Sequence, residues 1–348
     1  MLLPSSAAVD FATALLIAAG APPDHAQIVA KALVDADIEG LGSHGTMMLP
    51  MYLDRMIAGS IAPAARGRIV SDTGSQIVID AENGLGHVVA ERAADLVVER
   101  ARAHGLAAVA VRSAFHFGAA GRFAKSIAQA GCVGIVMANT RPLLSAPGGA
   151  ERVVGNNPIA IAVPSLGDPI VVDLALSAGA MGKIRLADSQ GQSIPPGWAT
   201  TAEGVPTVNA AEAIKGILLP AAGPKGFGLA VMIDLLTGGL SAGAIGDAVQ
   251  PLFGDPSKPY DSANLFLAID IAGFRPVEDF ASDASAFADR IRGSRRAPGI
   301  PEIRLPGDRA ARAHRDPSGK VAIADATVAA LRQSAAKLNV AIPASFNA

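Results

Sequence analysis

The sequence predicts an α/β fold in which helices flank a sheet, and three patterns in its 348 residues carry that expectation. Apolar residues recur at helical spacing up to about Gly59; short β-branched runs then alternate with further helical stretches as far as Ala138. From Thr140 to Trp198, strand-like runs (IAIAVP, IVVDLAL) sit between Gly- and Pro-rich loops, the arrangement expected where a sheet presents a ligand on its loops. Half of the residues are hydrophobic and the formal charge is only −2, so a large core is affordable and a nucleic-acid footprint is absent. With 11 Phe, 2 Tyr and 1 Trp, base-stacking platforms are not expected either.

The individual elements follow in order. Ser5 and Ser6 precede an apolar-rich helix, and no Lys or Arg stands before it, so residues 11–21 read as a helix rather than a secretory leader. Residues 25–39 (HAQIVAKALVDADIE) place Ile28, Leu33 and Ile38 on one helical face and Lys31, Asp35 and Glu39 on another. Residues 69–80 read as two strands around Thr73-Gly74, residues 84–103 as a long helix, and residues 106–111 as a buried strand. A helix over 122–130 and a strand over 133–138 follow, then a helix over 227–240, a strand over 264–271 and helices over 281–292 and 327–338. The polar, Pro/Gly-rich stretch 293–320 reads as a connection between domains. Cys132, the sole cysteine, lies in an apolar run and reads as a small buried hydrophobe, which fits a reducing, cytoplasmic setting. No segment is apolar enough to span a membrane, and no His/Asp/Glu cluster has metal-ligand spacing.

Gly40-Leu41-Gly42-Ser43-His44-Gly45 satisfies the G-x-G-x-x-G pattern of dinucleotide-binding Rossmann domains. That pattern has meaning only after a strand, where its glycines admit a pyrophosphate, and here it follows a helix. The Rossmann reading is therefore rejected. What remains is a Ser43-His44 pair on a glycine-flanked turn. A second candidate is His116, which begins HFGAAG after a strand and before a helix; free N–H groups and the helix dipole there favour an anion. A histidine with an ordinary pKa near ~6.5 at the lip of such a turn suits proton exchange. His25 and His104 are expected on helix surfaces and His314 in the polar connection, whereas His87 at a helix start fits either role. Gly239-Leu240-Ser241-Ala242-Gly243 mimics a hydrolase nucleophile elbow, but it follows a helix and reads as a helix end.

Together these residues resemble the malate/L-lactate dehydrogenase family of the non-Rossmann type, which also contains sulfolactate and ureidoglycolate dehydrogenases and cyclic-imine reductases. The resemblance rests on ordered motifs along nearly the whole chain. They are Ser43-His44-Gly45 with Leu49, Pro50 and Tyr52, HFGAAG at 116–121, Pro147-Gly148-Gly149, Gly155-Asn156-Asn157-Pro158, and Asp173-Leu174-Ala175 with Ser177. Gly182-Lys183, Ile194-Pro195, Gly197-Trp198, Lys225-Gly226-Phe227-Gly228 and Leu305-Pro306-Gly307 complete the set.

The resemblance implies an unusual α/β fold: a mixed, mostly antiparallel sheet flanked by helices, with a helical part built from both chain ends. The domains expected are 1–115 plus 299–348, helical and substrate-binding, and 116–298, carrying the dinucleotide. The activity implied is NAD(P)H-dependent reduction of a 2-oxo acid, or the reverse oxidation, with reduction of a cyclic imino acid or a cofactor-binding homologue without activity as alternatives. His116 would exchange the proton, with Ser43 and His44 beside it. Phe117, Gly118, Ala119, Ala120, Asp173, Leu174, Ala175, Lys225, Gly226 and the Arg295-Arg296 pair would join His116 in binding NADP or NAD, with NADP favoured. A homodimer with its active site near the subunit interface is implied. The family arginine expected to grip the substrate carboxylate is Met48 here, which methionine cannot replace as a bidentate clamp. Arg141 and Arg55 are the candidate replacements, and Met48, Tyr52, Arg141 and Asn157 the expected substrate contacts.

Overall fold

Proline and glycine punctuate the helices of the computed structural model, which describes residues 1–346. The chain runs β1 (Leu2–Pro4), α1 (Ser5–Ala18), α2 (Pro23–Ile38) and α3 (Leu49–Ile57), with proline in the first turn of α2 and α3. Then come β2 (Arg68–Asp72), β3 (Gln76–Asp80), α4 (Gly86–His104), β4 (Leu106–Ala114), α5 (Ala120–Gln129) and β5 (Cys132–Ala138). Gly105, in left-handed backbone at φ 85°, stops α4 and turns the chain into β4. β6 (Ile159–Val163), β7 (Ile170–Leu174), α6 (Met181–Ser189), β8 (Ala199–Thr200), β9 (Pro206–Thr207), α7 (Ala210–Lys215), β10 (Ile217–Leu218) and α8 (Pro224–Asp234) follow. β11 (Ser262–Asp270), α9 (Val277–Arg292), α10 (Asp308–His314), β12 (Lys320–Ala322) and α11 (Asp325–Leu338) close the described chain.

The central sheet has seven strands in the order β2-β3-β4-β11-β5-β6-β7, and every neighbouring pair is antiparallel except β3 with β4. The mostly antiparallel α/β architecture is thus as the sequence led us to expect. Alternation along the strands buries two faces. Val97, Phe123, Ile127 and Phe266 belong to the core under α4 and α5, and Leu176, Ile184, Ile233 and Leu265 to the core on the other side. A third core joins Phe11, Leu33 and Tyr52 to Val321, Leu331 and Phe346, while β1 pairs with β12. The two ends of the chain therefore share one helical cap.

Several expectations are corrected. β2, β3 and β4, all before residue 115, belong to the central sheet, so a boundary there cuts through one layer. Between Thr140 and Trp198 only β6 and β7 enter that sheet, and α6 replaces part of the expected loops, burying Ile184 with Met181 and Ala187 packed beside it. The 293–320 stretch is no mere connection: it contains α10 and leads into β12. His25 is buried, its Nδ1 2.8 Å from the Pro63 carbonyl, where helical spacing had placed it on the surface. The 227–240 helix is α8 continued by one π-helical stretch, Leu235–Gly239, and Ser241 is buried with its hydroxyl donating to Gly238.

The cap is fastened to the sheet side by a buried cation. Arg55 of α3 is 1% exposed and donates to the carbonyls of Pro251, Leu252 and Lys258. Arg55→Leu strands those carbonyls, and urea denaturation is expected to show a loss of roughly 3 kcal/mol. Arg55→Lys should recover little of it, since one ammonium cannot reach all three carbonyls.

Candidate active site

The site lies where the cap meets the end of β4. Ser113, next to last in that strand, adopts left-handed backbone at φ 49°, and the pairing with β11 shifts register between Ser262 and Asn264. This irregularity turns Phe115 and His116 out of the sheet. Gly86 opens α4 directly against them. A Cβ there would lie 2.4 Å from the Phe115 carbonyl oxygen and 2.3 Å from that of His116, so only glycine permits the approach.

On the cap side, α2 ends at Ile38, and Gly42–His44 forms a short 3-10 turn. The Asp37 carboxylate accepts the Thr46 backbone N–H at 2.9 Å and the Thr46 hydroxyl at 2.5 Å, which fixes this loop. Burial nonetheless raises the Asp37 pKa.

Ser43, His44, Tyr52 and His116, named from sequence, are brought together. The Ser43 hydroxyl is 3.0 Å from His44 Nδ1, and the His44 and His116 rings stack with centroids 5.8 Å apart. Tyr52, fully buried, places its hydroxyl 2.6 Å from His116 Nδ1, while the His116 carbonyl is 3.5 Å away and too distant to compete. Burial holds the Tyr52 phenol well above its ordinary pKa, so the phenol keeps its proton and is able to donate a hydrogen bond to Nδ1. With the phenol donating to Nδ1, a neutral His116 ring has its own hydrogen on Nε2. Burial, with His44 alongside, pushes the His116 pKa down to about 3, and burial also lowers His44. His87, which the sequence left open, is buried beside them; its pKa is held well below the ordinary value by burial and then by His116, Arg122 and His44.

Past His116, the HFGAAG turn enters α5, and the Gly121 N–H at that helix start donates to Asp173 at 2.8 Å. The anion at the helix N-terminus is thus a carboxylate of the chain. It faces a cavity of about 370 Å³ lined by Ala119, Gly121, Asp173, Gly307, Lys125 and Arg309. Small residues along one wall and a carboxylate suited to a ribose diol fit an extended dinucleotide. Of the residues expected to bind it, Ala119 and Asp173 line this cavity, whereas Leu174 and Lys225 are exposed and lie outside its lining.

At other positions expected to make contacts, the side chains point elsewhere. The Phe117 side chain is core, edge-on to Phe123 at 5.3 Å, and Ala120 is buried. Gly226 is buried in the first turn of α8. Arg295 and Arg296 are exposed, and Arg296 donates to the Pro301 carbonyl rather than facing that cavity. Met48 is 2% exposed in the core of the cap, so its thioether does not reach open space. Asn157 is completely buried, accepting from the Thr140 N–H at 2.9 Å and donating to the Ala230 carbonyl at 2.8 Å. Its donors and acceptor hold the 139–141 loop instead of a substrate. Arg55 is spent on carbonyls. Arg141 remains: among the described residues its guanidinium has no hydrogen-bond partner, and Tyr260, which influences its charge, packs edge-on against Phe115.

The comparisons with known proteins now decide the family. The family model described as malate/L-lactate dehydrogenase matches residues 3–332. The chain belongs to that family. It is 36% identical to a malate dehydrogenase of Pyrococcus abyssi, over 88% of this chain and 86% of that one. It is also 36% identical to a (2R)-3-sulfolactate dehydrogenase (NADP(+)) of Chromohalobacter salexigens, over 93% and 95%. The solved sulfolactate dehydrogenase of Methanocaldococcus jannaschii superposes with a TM-score of 0.92 at 32% identity, covering 98% of each chain. This family member is an NAD(P)-dependent oxidoreductase.

Two measurements follow from the geometry. A Cβ on Gly45 would lie 1.9 Å from Asp37 Oδ1, so Gly45→Ala is expected to displace the Ser43-His44 turn and cut kcat/KM at least about tenfold, read in steady-state assays. His87 and His116 have folded pKa values below their unfolded ones, so the stability they lend is present above about pH 6.5 and is lost as pH falls below it. Urea midpoints at pH 7 and pH 5 should show His87→Gln losing roughly 1–2 kcal/mol less than the native chain over that interval.

Proposed function

We infer that the protein transfers a hydride between a nicotinamide cofactor and the carbonyl carbon of a 2-oxo acid, with His116 as the proton donor and, in the oxidative direction, the acceptor. The observation that carries this reading is the Tyr52–His116 contact, which leaves Nε2–H as the only acidic hydrogen of a neutral ring. The bound cofactor supplies or takes the hydride. The chain's part is to orient the keto acid and to hold a proton at Nε2 of His116 for the oxygen on which charge develops. His44 stacks on the ring and Ser43 fixes the His44 imidazole, so neither histidine is free to rotate.

Arg141 is assigned the substrate carboxylate. Its guanidinium is unspent among the described residues, and burial together with Arg152 disfavours its bare charge, as expected of a cation awaiting an anion. NADP is the preferred dinucleotide in this reading. Lys125 and Arg309, not Arg295 and Arg296, would receive the extra phosphate, because they line the cavity beyond Asp173. A homodimer is also proposed: Leu229, Met232 and Leu235 follow one another at helical spacing along α8 and its continuation, and all three are exposed.

The experiment is consumption of NADH and NADPH, in parallel, against 2-oxo acids, sulfonated analogues and cyclic imino acids. Turnover is expected with a 2-oxo acid, and exclusive turnover of a cyclic imine would reassign the bond reduced from C=O to C=N. His116→Ala should lower kcat by about 10²–10⁴-fold while cofactor binding, read by fluorescence titration, persists; near-normal rates would sink the role. Arg141→Leu should raise KM for a carboxylate-bearing substrate about 10–100-fold with a smaller change for cofactor, and an unchanged KM would show that another group holds the carboxylate.

A further inference from the structure

A neutral imidazole that gives up its Nε2 hydrogen must gain one at Nδ1 in the same event, or it becomes an imidazolate. The atom that touches Nδ1 of His116 is the Tyr52 hydroxyl, at 2.6 Å. Tyr52 is fully buried and its phenol resists ionisation, so it too must be resupplied as it gives up its proton. Behind Tyr52 stands His87, its ring centroid 6.0 Å from the tyrosine ring at a tilt of 48°. His87 is 1% exposed, and its Nδ1 has no hydrogen-bond partner among the described residues. A buried, unpartnered ring nitrogen is costly unless a water or a moving proton occupies it. The same side chain forms part of the wall of a second cavity, about 390 Å³, between α2, α4 and α5, where Lys31, Glu91, Asp95 and Lys125 supply polar groups. This cavity is spacious enough for several waters.

We propose that Tyr52 and His87 form a proton relay from this polar cavity to Nδ1 of His116, with one water bridging the tyrosine hydroxyl and the His87 ring. In reduction, the Nε2–H bond of His116 breaks and the proton goes to the substrate oxygen. The Tyr52 proton passes to Nδ1, the bridging water reprotonates Tyr52, His87 gives its ring hydrogen to that water, and cavity water restores His87. The net change is one proton taken from solvent and His116 left in its other tautomer. After product leaves, water in the open site protonates Nε2 while Nδ1 returns its proton through Tyr52 and His87 to the cavity; oxidation runs the chain backwards. No residue on the path carries a lasting charge, which suits a site where burial disfavours charged histidines. Gly118 matters here because a Cβ on it would come within 2.8 Å of His87 Nε2, so the turn that leads to the cofactor also confines the relay's ring.

The inference rests on His116 being the acid, and the test separates the two claims. The reductive rate of the native enzyme, His87→Gln and Tyr52→Phe is measured at fixed pH and ionic strength across imidazole concentrations, with solvent deuterium isotope effects alongside. Glutamine keeps the volume and polarity but cannot pass a proton between two ring nitrogens. His87→Gln is expected to lower kcat by about tenfold or more in dilute non-imidazole buffer, to enlarge the isotope effect, and to recover as imidazole is added, while KM stays level. A rate that is unchanged, or that falls without dependence on imidazole, overturns the relay. Nitrogen-15 spectra of the histidine rings in the unliganded protein give a readout free of turnover: Nδ1 of His116 should be unprotonated in the native chain and shift in Tyr52→Phe. Finding the hydrogen on Nδ1 would also overturn the relay. Full activity in His116→Ala would remove the parent reading, whereas an inactive His116→Ala with an imidazole-independent His87→Gln removes the relay alone.

Discussion

The site depends on one hydrogen bond between parts of the chain that fold around different cores. Tyr52 belongs to α3 and to the cap built from both chain ends, whereas His116 leaves the end of a central strand. Their 2.6 Å contact holds the His116 imidazole by its Nδ1, and it exists only because the cap is seated on the sheet. Three other contacts hold that seating. Arg55 reaches from α3 to the loop before β11, Gly86 lets α4 lie against the His116 backbone, and Asp37 ties down the loop that carries Ser43 and His44. The chemistry is thus a property of the cap–sheet junction rather than of either part.

Burial does most of the electrostatic work at this junction. Three histidines and a tyrosine are drawn together with no carboxylate hydrogen-bonded to any of them among the described residues, so every shift runs toward the neutral form. The chain's carboxylates are placed one layer out: Asp35 and Glu91 both hold Arg122, and Glu39 holds His314. A carboxylate on His116 would have favoured its cationic form. The phenol in its place orients the ring without charging it.

Much of this was legible in the sequence. The strongly periodic segments matched helices and strands within a few residues, although α6, α7 and α10 were not among them, and the helix ahead of Gly40 was enough to set aside the Rossmann pattern. Glycine-flanked Ser43-His44 and the HFGAAG turn named two of the elements that meet at the site. What local patterns could not carry was destination. Arg55 and Arg141 read alike as spare cations, yet one is consumed by carbonyls roughly two hundred positions away in sequence and the other is not. Asn157 and Phe117 sit inside family motifs but face inward, since a motif fixes a backbone path and not which way each side chain points. His87 gave no local signal beyond its glycine neighbours; only the packing of α4 against residues 115–118 shows its place. The cut at residue 115 failed because β2 to β4 join strands that come far later in the chain.

The pairing of β1 with β12 imposes an order of events on biosynthesis. Leu2 to Pro4 find their partners only in Lys320 to Ala322, and Phe11 stacks near Phe346 with ring centroids 4.6 Å apart. As the chain leaves the ribosome, β2-β3-β4 and β5-β6-β7 can each pair early, but β11, which joins the two groups, emerges only with residues 262–270. The first helices must wait, with their apolar faces unburied, for more than three hundred residues to follow. The nascent chain therefore completes first its sheet, when β11 arrives, and then its cap, when β12 and α11 arrive, so the junction that carries the candidate site is the last part to form.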